Sequence, residues 1–134
     1  MLAYLWVAIG GAIGSMARYG LGGLVAQKFG ETFPLGTLAV NIAGSFIIGF
    51  LGALVSSEGR LDPQTRVLTS QLLITGVCGG VTTFSSFSLQ TFNLLGDGEW
   101  LYAGGNILFS VVLCLIAVWL GYMLGAMLNS MKGN

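Results

Sequence analysis

Asn41 has Thr37 four residues before it and Ser45 four residues after it, so three polar side chains share one stripe of a helix across an uncharged stretch. Asn106, Ser110 and Cys114 repeat that spacing further along. The amide of Asn41 carries two N–H donors and an acceptor that must find partners if the stretch lies in hydrocarbon. It could serve as an interhelical hydrogen bond or as a donor facing a polar path, and spacing leaves both open. Between the stripes lies Gly79-Gly80-Val81-Thr82-Thr83-Phe84-Ser85-Ser86-Phe87-Ser88, with Gln90 beyond it. No Asp or Glu falls in an apolar stretch, whereas a cation or proton path usually carries intramembrane carboxylates. Hydroxyl and amide donors without carboxylates suit an anion. Phe84 and Phe87, three apart, share a helix face. Aromatic rings are electropositive at the edge and can meet an anion edge-on, although this spacing is more often plain packing. Arg18 either snorkels to a membrane interface or lends positive potential to a vestibule.

Composition sets the environment for these groups. The chain has 134 residues, 54% of them hydrophobic and 7% charged, with a mean hydropathy of +0.85. An average soluble domain is about a quarter charged, so this is an integral membrane protein, read as one transmembrane domain over 1–134. Five basic and five acidic residues cancel, which implies no polyanionic partner and no nucleic acid. There is no histidine, and no nucleophile–base pair or metal cluster can be assembled, so the chain is not expected to be an enzyme. Cys78 and Cys114 sit in apolar stretches and read as buried thiols.

Uncharged lengths divide the chain into four helical spans at about 2–26, 35–56, 66–95 and 100–130, an all-α polytopic fold. The start has no basic n-region and no small-residue cleavage site, so it reads as a retained span. Gly10 and Gly14 give the first span a face that another helix can approach closely. Lys28, Glu31 and Pro34 mark a short loop, and residues 56–66, with Glu58, Arg60 and Asp62, mark a longer one. Asp62-Pro63 suits a helix start, Asp as cap and Pro in the first turn. Asp97-Gly98-Glu99 reads as a tight turn, followed by Trp100 and Tyr102 as an interfacial belt.

The third span is the unusual one. Its uncharged run, 67–96, has 30 residues, roughly 45 Å as one helix against a hydrocarbon layer of ~30 Å. Adjacent glycines, three β-branched residues and a cluster of hydroxyls make its centre a poor helix. The span is therefore predicted to break there, and such backbone survives at membrane depth only when buried in protein or lining a polar cavity. The break could be a kink filled by neighbours, or its carbonyls could bind a hard cation. Basic residues divide three to two between the sides: Arg60, Arg66 and Lys132 against Arg18 and Lys28. So weak a bias permits insertion in either orientation, and with it an antiparallel pair of identical subunits.

The third-span motif 79–88, Gly36-Thr37-Leu38-Ala39-Val40-Asn41 and the region 14–18 together resemble the bacterial fluoride channels of the CrcB/Fluc family, over nearly the whole chain. The resemblance implies passive export of fluoride across the bacterial inner membrane by an antiparallel, dual-topology homodimer in the lipid bilayer, with two pores. It implies a structural sodium ion between the subunits, held by the main-chain carbonyls of Gly79 and Thr82. It further implies an ion pathway along Phe84, Phe87, Ser88, Asn41, Thr37, Ser110 and Asn106, with Arg18 in the vestibule. Gln90, Asn106 and Cys114 depart from familiar members, where glutamate, tyrosine and serine can stand. The halide comes from the resemblance alone; composition and spacing support an anion path. The nearest rival is a small multidrug transporter, but it needs a carboxylate in its first span and residues 1–27 have none. A helical subunit that only scaffolds an assembly would need neither the break nor the polar stripes.

Overall fold

The computed structural model describes residues 1–30, 32–56 and 61–131. Glu31, Glu58, Arg60 and Lys132, which the sequence places in loops or at the chain end, lie outside the described residues. The described residues form an all-helical fold: α1 (Leu2–Phe29), α2 (Leu35–Ser56), α3 (residues 63–81), α4 (Phe84–Gly96) and α5 (Trp100–Met131). Helices α3 and α4 are the two halves of the third span, separated by the extended residues Thr82 and Thr83. The four-span fold with a broken third span is therefore what the chain adopts.

Leu35–Ser56, Pro63–Gly96 and Trp100–Met131 are long and apolar enough to cross a membrane. At 22 residues α2 is about 33 Å long, close to the thickness of the hydrocarbon layer. Helix α1 has 28 residues and the reach to cross, but Arg18, Lys28 and its glycines make it less apolar than the other three.

Local signals at the ends of the third span act as expected. Asp62 accepts hydrogen bonds from Gln64 N (3.1 Å) and Thr65 N (3.0 Å), with Pro63 in the first turn. Helix α3 thus starts three residues before the expected 66, and Arg66 belongs to the helix rather than the loop. Bonds from Thr65 first, then Gln64, hold the Asp62 carboxyl below its ordinary value. A carboxylate with a depressed pKa adds stability above its unfolded pKa and loses it as pH falls through the folded one. Asp62→Ala, or acidification through the carboxylate range, should therefore speed amide exchange at Gln64 and Thr65 while leaving α4 unaffected. At the other end Glu99 N bonds Leu94 O (2.8 Å) and Gly98 N bonds Leu95 O (3.2 Å), with Gly98 at φ 77°. That left-handed backbone favours glycine and closes the turn into α5.

Lipid offers helices no hydrophobic reason to associate, so close backbone contact has to hold them together. Gly10 and Gly14 of α1 meet Gly76 and Gly80 of α3. A Cβ on Gly10 would run into the Leu72 carbonyl, and one on Gly80 would come within 2.7 Å of Gly11 O. Gly49, Gly121 and Gly125 do the same between α2 and α5, where added methyls would strike the Val118, Phe46 and Phe50 carbonyls. The buried apolar residues are mostly small, such as Ala53, Val81, Ala103 and Ala117, while α5 turns Leu115, Trp119 and Met127 outward.

The central glycines did not unwind. Gly79-Gly80-Val81 remains helical at the end of α3, preceded by a wider π-helical stretch, Ser70–Cys78, that the sequence did not suggest. Gly80 is tolerated in a helix because its missing side chain lets α1 approach. The break falls on Thr82 (ψ 151°) and Thr83 (φ −149°, ψ 112°), and its cause lies on α2.

Candidate functional site

Asn41 of α2 reaches the break with both ends of its amide. Its Oδ1 accepts from Thr83 N at 2.7 Å, and its Nδ2 donates to Thr83 O at 3.1 Å. In a continuous helix Thr83 N–H would bond the carbonyl of Gly79. The side chain of a buried asparagine thus replaces the ladder at the point where the ladder stops. Gly44, one turn further along α2, lets the break sit close: a Cβ there would lie 2.5 Å from Thr82 Cγ2. The interhelical bond left open by the sequence exists, and one Nδ2 hydrogen remains for another acceptor.

Gly79 and Thr82 are among the residues at the break whose carbonyls lose their usual helical partners. Thr83 N goes to Asn41, leaving Gly79 O without its helical donor. Ser86 N goes to Thr83 Oγ1 at 3.1 Å, which caps α4 and likewise leaves Thr82 O without one. The amide and hydroxyl of Thr82 both turn back to Cys78 O, each at 3.0 Å. Oxygens of this kind suit a hard cation. Among the described residues no group of three or more His, Cys, Asp or Glu could hold a metal.

A cavity of about 940 Å³ opens beside the break. Thr83 and Ser86 line it at the break, Ser15, Arg18, Thr37 and Gln90 along its length, and Asp97 and Glu99 toward its mouth. Arg18 is half-buried there, one helical turn beyond Gly14, which packs on α3 just before the break. Arg18 and Thr37, which the sequence treated separately, thus share one space. Ser15, Ser86 and Thr83 were not singled out as site residues; their polar side chains within apolar spans were the available signal.

The remaining expected site residues fall elsewhere. Phe84 and Phe87 form a pair with ring centroids 5.3 Å apart and a 48° tilt. Phe84 is 79% exposed, on the outside of the chain rather than in the cavity. Ser88, also exposed, donates to Phe84 O at 2.8 Å. Asn106 and Ser110 are both buried on α5 and meet at 3.5 Å, Ser110 Oγ donating to Asn106 Oδ1. Asn106 Nδ2 donates to Thr91 Oγ1 at 2.9 Å, and Thr91 Oγ1 to Phe87 O at 2.7 Å. Thr91 was not among the residues singled out in the sequence. Cys78 is buried and Cys114 partly so, both as free thiols.

Fold and site together define a helical, multi-pass membrane protein whose third span unwinds against a polar cavity. The chain belongs to the CrcB family: the family described as CrcB-like protein, Camphor Resistance (CrcB), matches residues 5–122. It is 58% identical over 134 residues to the fluoride-specific ion channel FluC of Opitutus terrae, covering all of both chains. It is 51% identical over 132 residues to the protein of that name from Methylocella silvestris, covering 97% of this chain and 98% of the relative. The corresponding protein of Rhodospirillum rubrum is 48% identical over 130 residues, covering 96% of this chain and 98% of the relative. These relatives are named as ion channels, in line with the expectation that the chain is not an enzyme.

Proposed function

We propose that this chain is a fluoride channel through which fluoride leaves the bacterial cytoplasm passively, across the inner membrane, as one transmembrane domain over 1–134. The relatives' names supply the halide. The observation that carries the reading is the break itself, where Thr83 and Ser86 line a cavity that also holds Arg18. An anion at that depth keeps its hydrogen bonds by exchanging water for hydroxyl and amide donors: Thr37 and Ser86 line the cavity, and Asn41, buried behind it, would offer its spare hydrogen where the path continues past the break. The carboxylates of Asp97 and Glu99 stay at the cavity mouth, away from the break.

The working unit is an antiparallel pair of chains with two paths, inserted in both orientations. Three features support a second copy. The weak charge bias permits either orientation, a Cβ on Gly79 would meet nothing within 4 Å, and Phe84 presents an exposed ring beside the break. The carbonyls of Gly79 and Thr82 would hold the sodium ion, which supplies fixed positive charge that lowers the cost of nearby anions in a medium of low dielectric. Phe84 and Phe87 line the paths, followed by Ser88, Ser110 and Asn106.

The test is growth. In bacteria that lack their own fluoride exit, the chain should restore growth in fluoride medium and lower the fluoride held by the cells. No rescue from protein present in the membrane would overturn the reading. Phe84→Ile removes the ring edge but keeps a shorter apolar side chain. It should cut fluoride flux on the order of tenfold in the reconstituted protein while chains still associate. Unchanged flux would remove the ring pair from the path.

A further inference from the structure

Helix α4 carries both phenylalanines, yet it buries only one of its 13 residues, Thr91. That threonine is 6% exposed, and its partner on α5, Asn106, is 2% exposed and one of the largest fully buried side chains among the described residues. The two hydroxyls that lie four residues after the phenylalanines, Ser88 and Thr91, bend back onto the carbonyls of Phe84 and Phe87 respectively. Of the two, Thr91 is also tied across to α5. Thr83, Phe87 and Thr91 fall at i, i+4 and i+8, one stripe of the helix. Asn41 holds the Thr83 end and Asn106 the Thr91 end, roughly 12 Å apart along the axis, with the ring pair between them.

We propose that Thr91 is a positioning residue for the fluoride path, which with Asn106 forms a buried hydrogen-bond chain into the Phe87 carbonyl and sets the rotation of α4 that aims the two rings. This rests on the reading that the ring pair lines the path. A tie at each end of one stripe holds that face of α4 against α2 and α5 and so limits the rotation of the helix about its axis. Without the tie at Thr91, α4 keeps its tie at Thr83, its packing on α5 and the turn at its far end, but loses the bond that holds this face between them, and its outer surface can turn. An extra hydroxyl bond to an i−4 carbonyl also bends a helix slightly, so Thr91 adjusts the turn that presents Phe87 as well as anchoring it. Ser110 completes the chain by donating to Asn106 Oδ1, which fixes which end of the amide faces Thr91. An asparagine at 106 is short enough to be buried whole and still reach Thr91, which makes the chain a consequence of this particular sequence.

The test compares Thr91→Val, which keeps the shape and removes the hydroxyl, with Thr91→Ser, which keeps the hydroxyl. Each is reconstituted in liposomes beside the parent, Phe84→Ile and Asn106→Leu, and flux is normalised to folded protein. Thr91→Val should lower fluoride flux on the order of tenfold, as when one buried hydrogen bond is lost, and shift the fluoride-over-chloride ratio. Thr91→Ser should stay within about twofold of the parent. Because residues of one network do not act additively, Thr91→Val with Asn106→Leu should be no worse than Asn106→Leu alone. If Thr91→Val does not fold, Asn106→Leu and Thr91→Ser make the same comparison from the other side. Parent-like flux and selectivity in Thr91→Val, or equal loss in the Val and Ser variants, overturns the proposal. If Phe84→Ile still lowers flux in that case, the channel reading stands and only the role of Thr91 falls. A parent that passes no fluoride overturns both.

Discussion

Asn41→Leu is expected to abolish most fluoride flux and to destabilise the chain at the same time. Leucine fills nearly the same space but offers neither bond to Thr83, so a buried N–H and a buried C=O lose their partners together. Each such group costs about 1–3 kcal/mol when left unsatisfied, so the break becomes unfavourable by several kcal/mol. The cheapest relief is for Thr83 N–H to return to the Gly79 carbonyl, its ordinary helical partner. That would straighten the third span and withdraw an oxygen from the proposed cation site. Flux should fall by roughly a hundredfold, given a factor of ten for each 1.4 kcal/mol. Folded Asn41→Leu protein with parent-like flux would show that the Asn41 bridge is dispensable.

Gly14→Ala is expected to weaken folding more than any other single methyl in α1 except the one at Gly10. The added carbon would run into the Val77 carbonyl and lie 3.0 Å from Gly80 Cα. The obstacle is backbone on a packed helix, with no flexible side-chain end to move aside. Overpacking of this kind costs about 1–3 kcal/mol, and α3 can escape only by moving away from α1. Because that contact lies immediately before the break, the movement should also reduce flux in the protein that does fold. Gly11→Ala is the matched comparison, since a methyl there meets nothing within 4 Å. Thermal unfolding in detergent should separate the two variants clearly. Equal midpoints would mean that the glycine contact does not hold α1 to α3.

The parts of this structure that were legible in the sequence are those set by local chemistry. Uncharged runs bounded by Arg66, Asp97 and Glu99 gave the spans to within a few residues. Asp62-Pro63 gave the start of α3, and Asp97-Gly98 the turn into α5, because caps and turns involve neighbours in the chain. That the third span breaks was also readable, from its excess length and poor helix formers. Where it breaks was not. The glycines looked weakest, yet they stay helical, because the deciding bonds come from Asn41, 42 residues away in sequence. The partner of Thr91 was hidden for the same reason: Asn106 lies 15 residues off, on another helix. Arg18 and Thr37 are on different helices, and only the folded chain shows that they line one cavity. Phe84 illustrates a different limit. Its spacing with Phe87 suggested a shared face, but the face turns outward, a placement that one chain taken alone does not explain and a second copy would.

The most direct measurement is anion release from liposomes that contain the purified chain, followed with fluoride- and chloride-sensitive electrodes after a potassium ionophore is added to balance charge. Fluoride should leave within seconds while chloride stays inside. Fluoride release no faster than from protein-free liposomes, or chloride release at a matching rate, would contradict the channel reading.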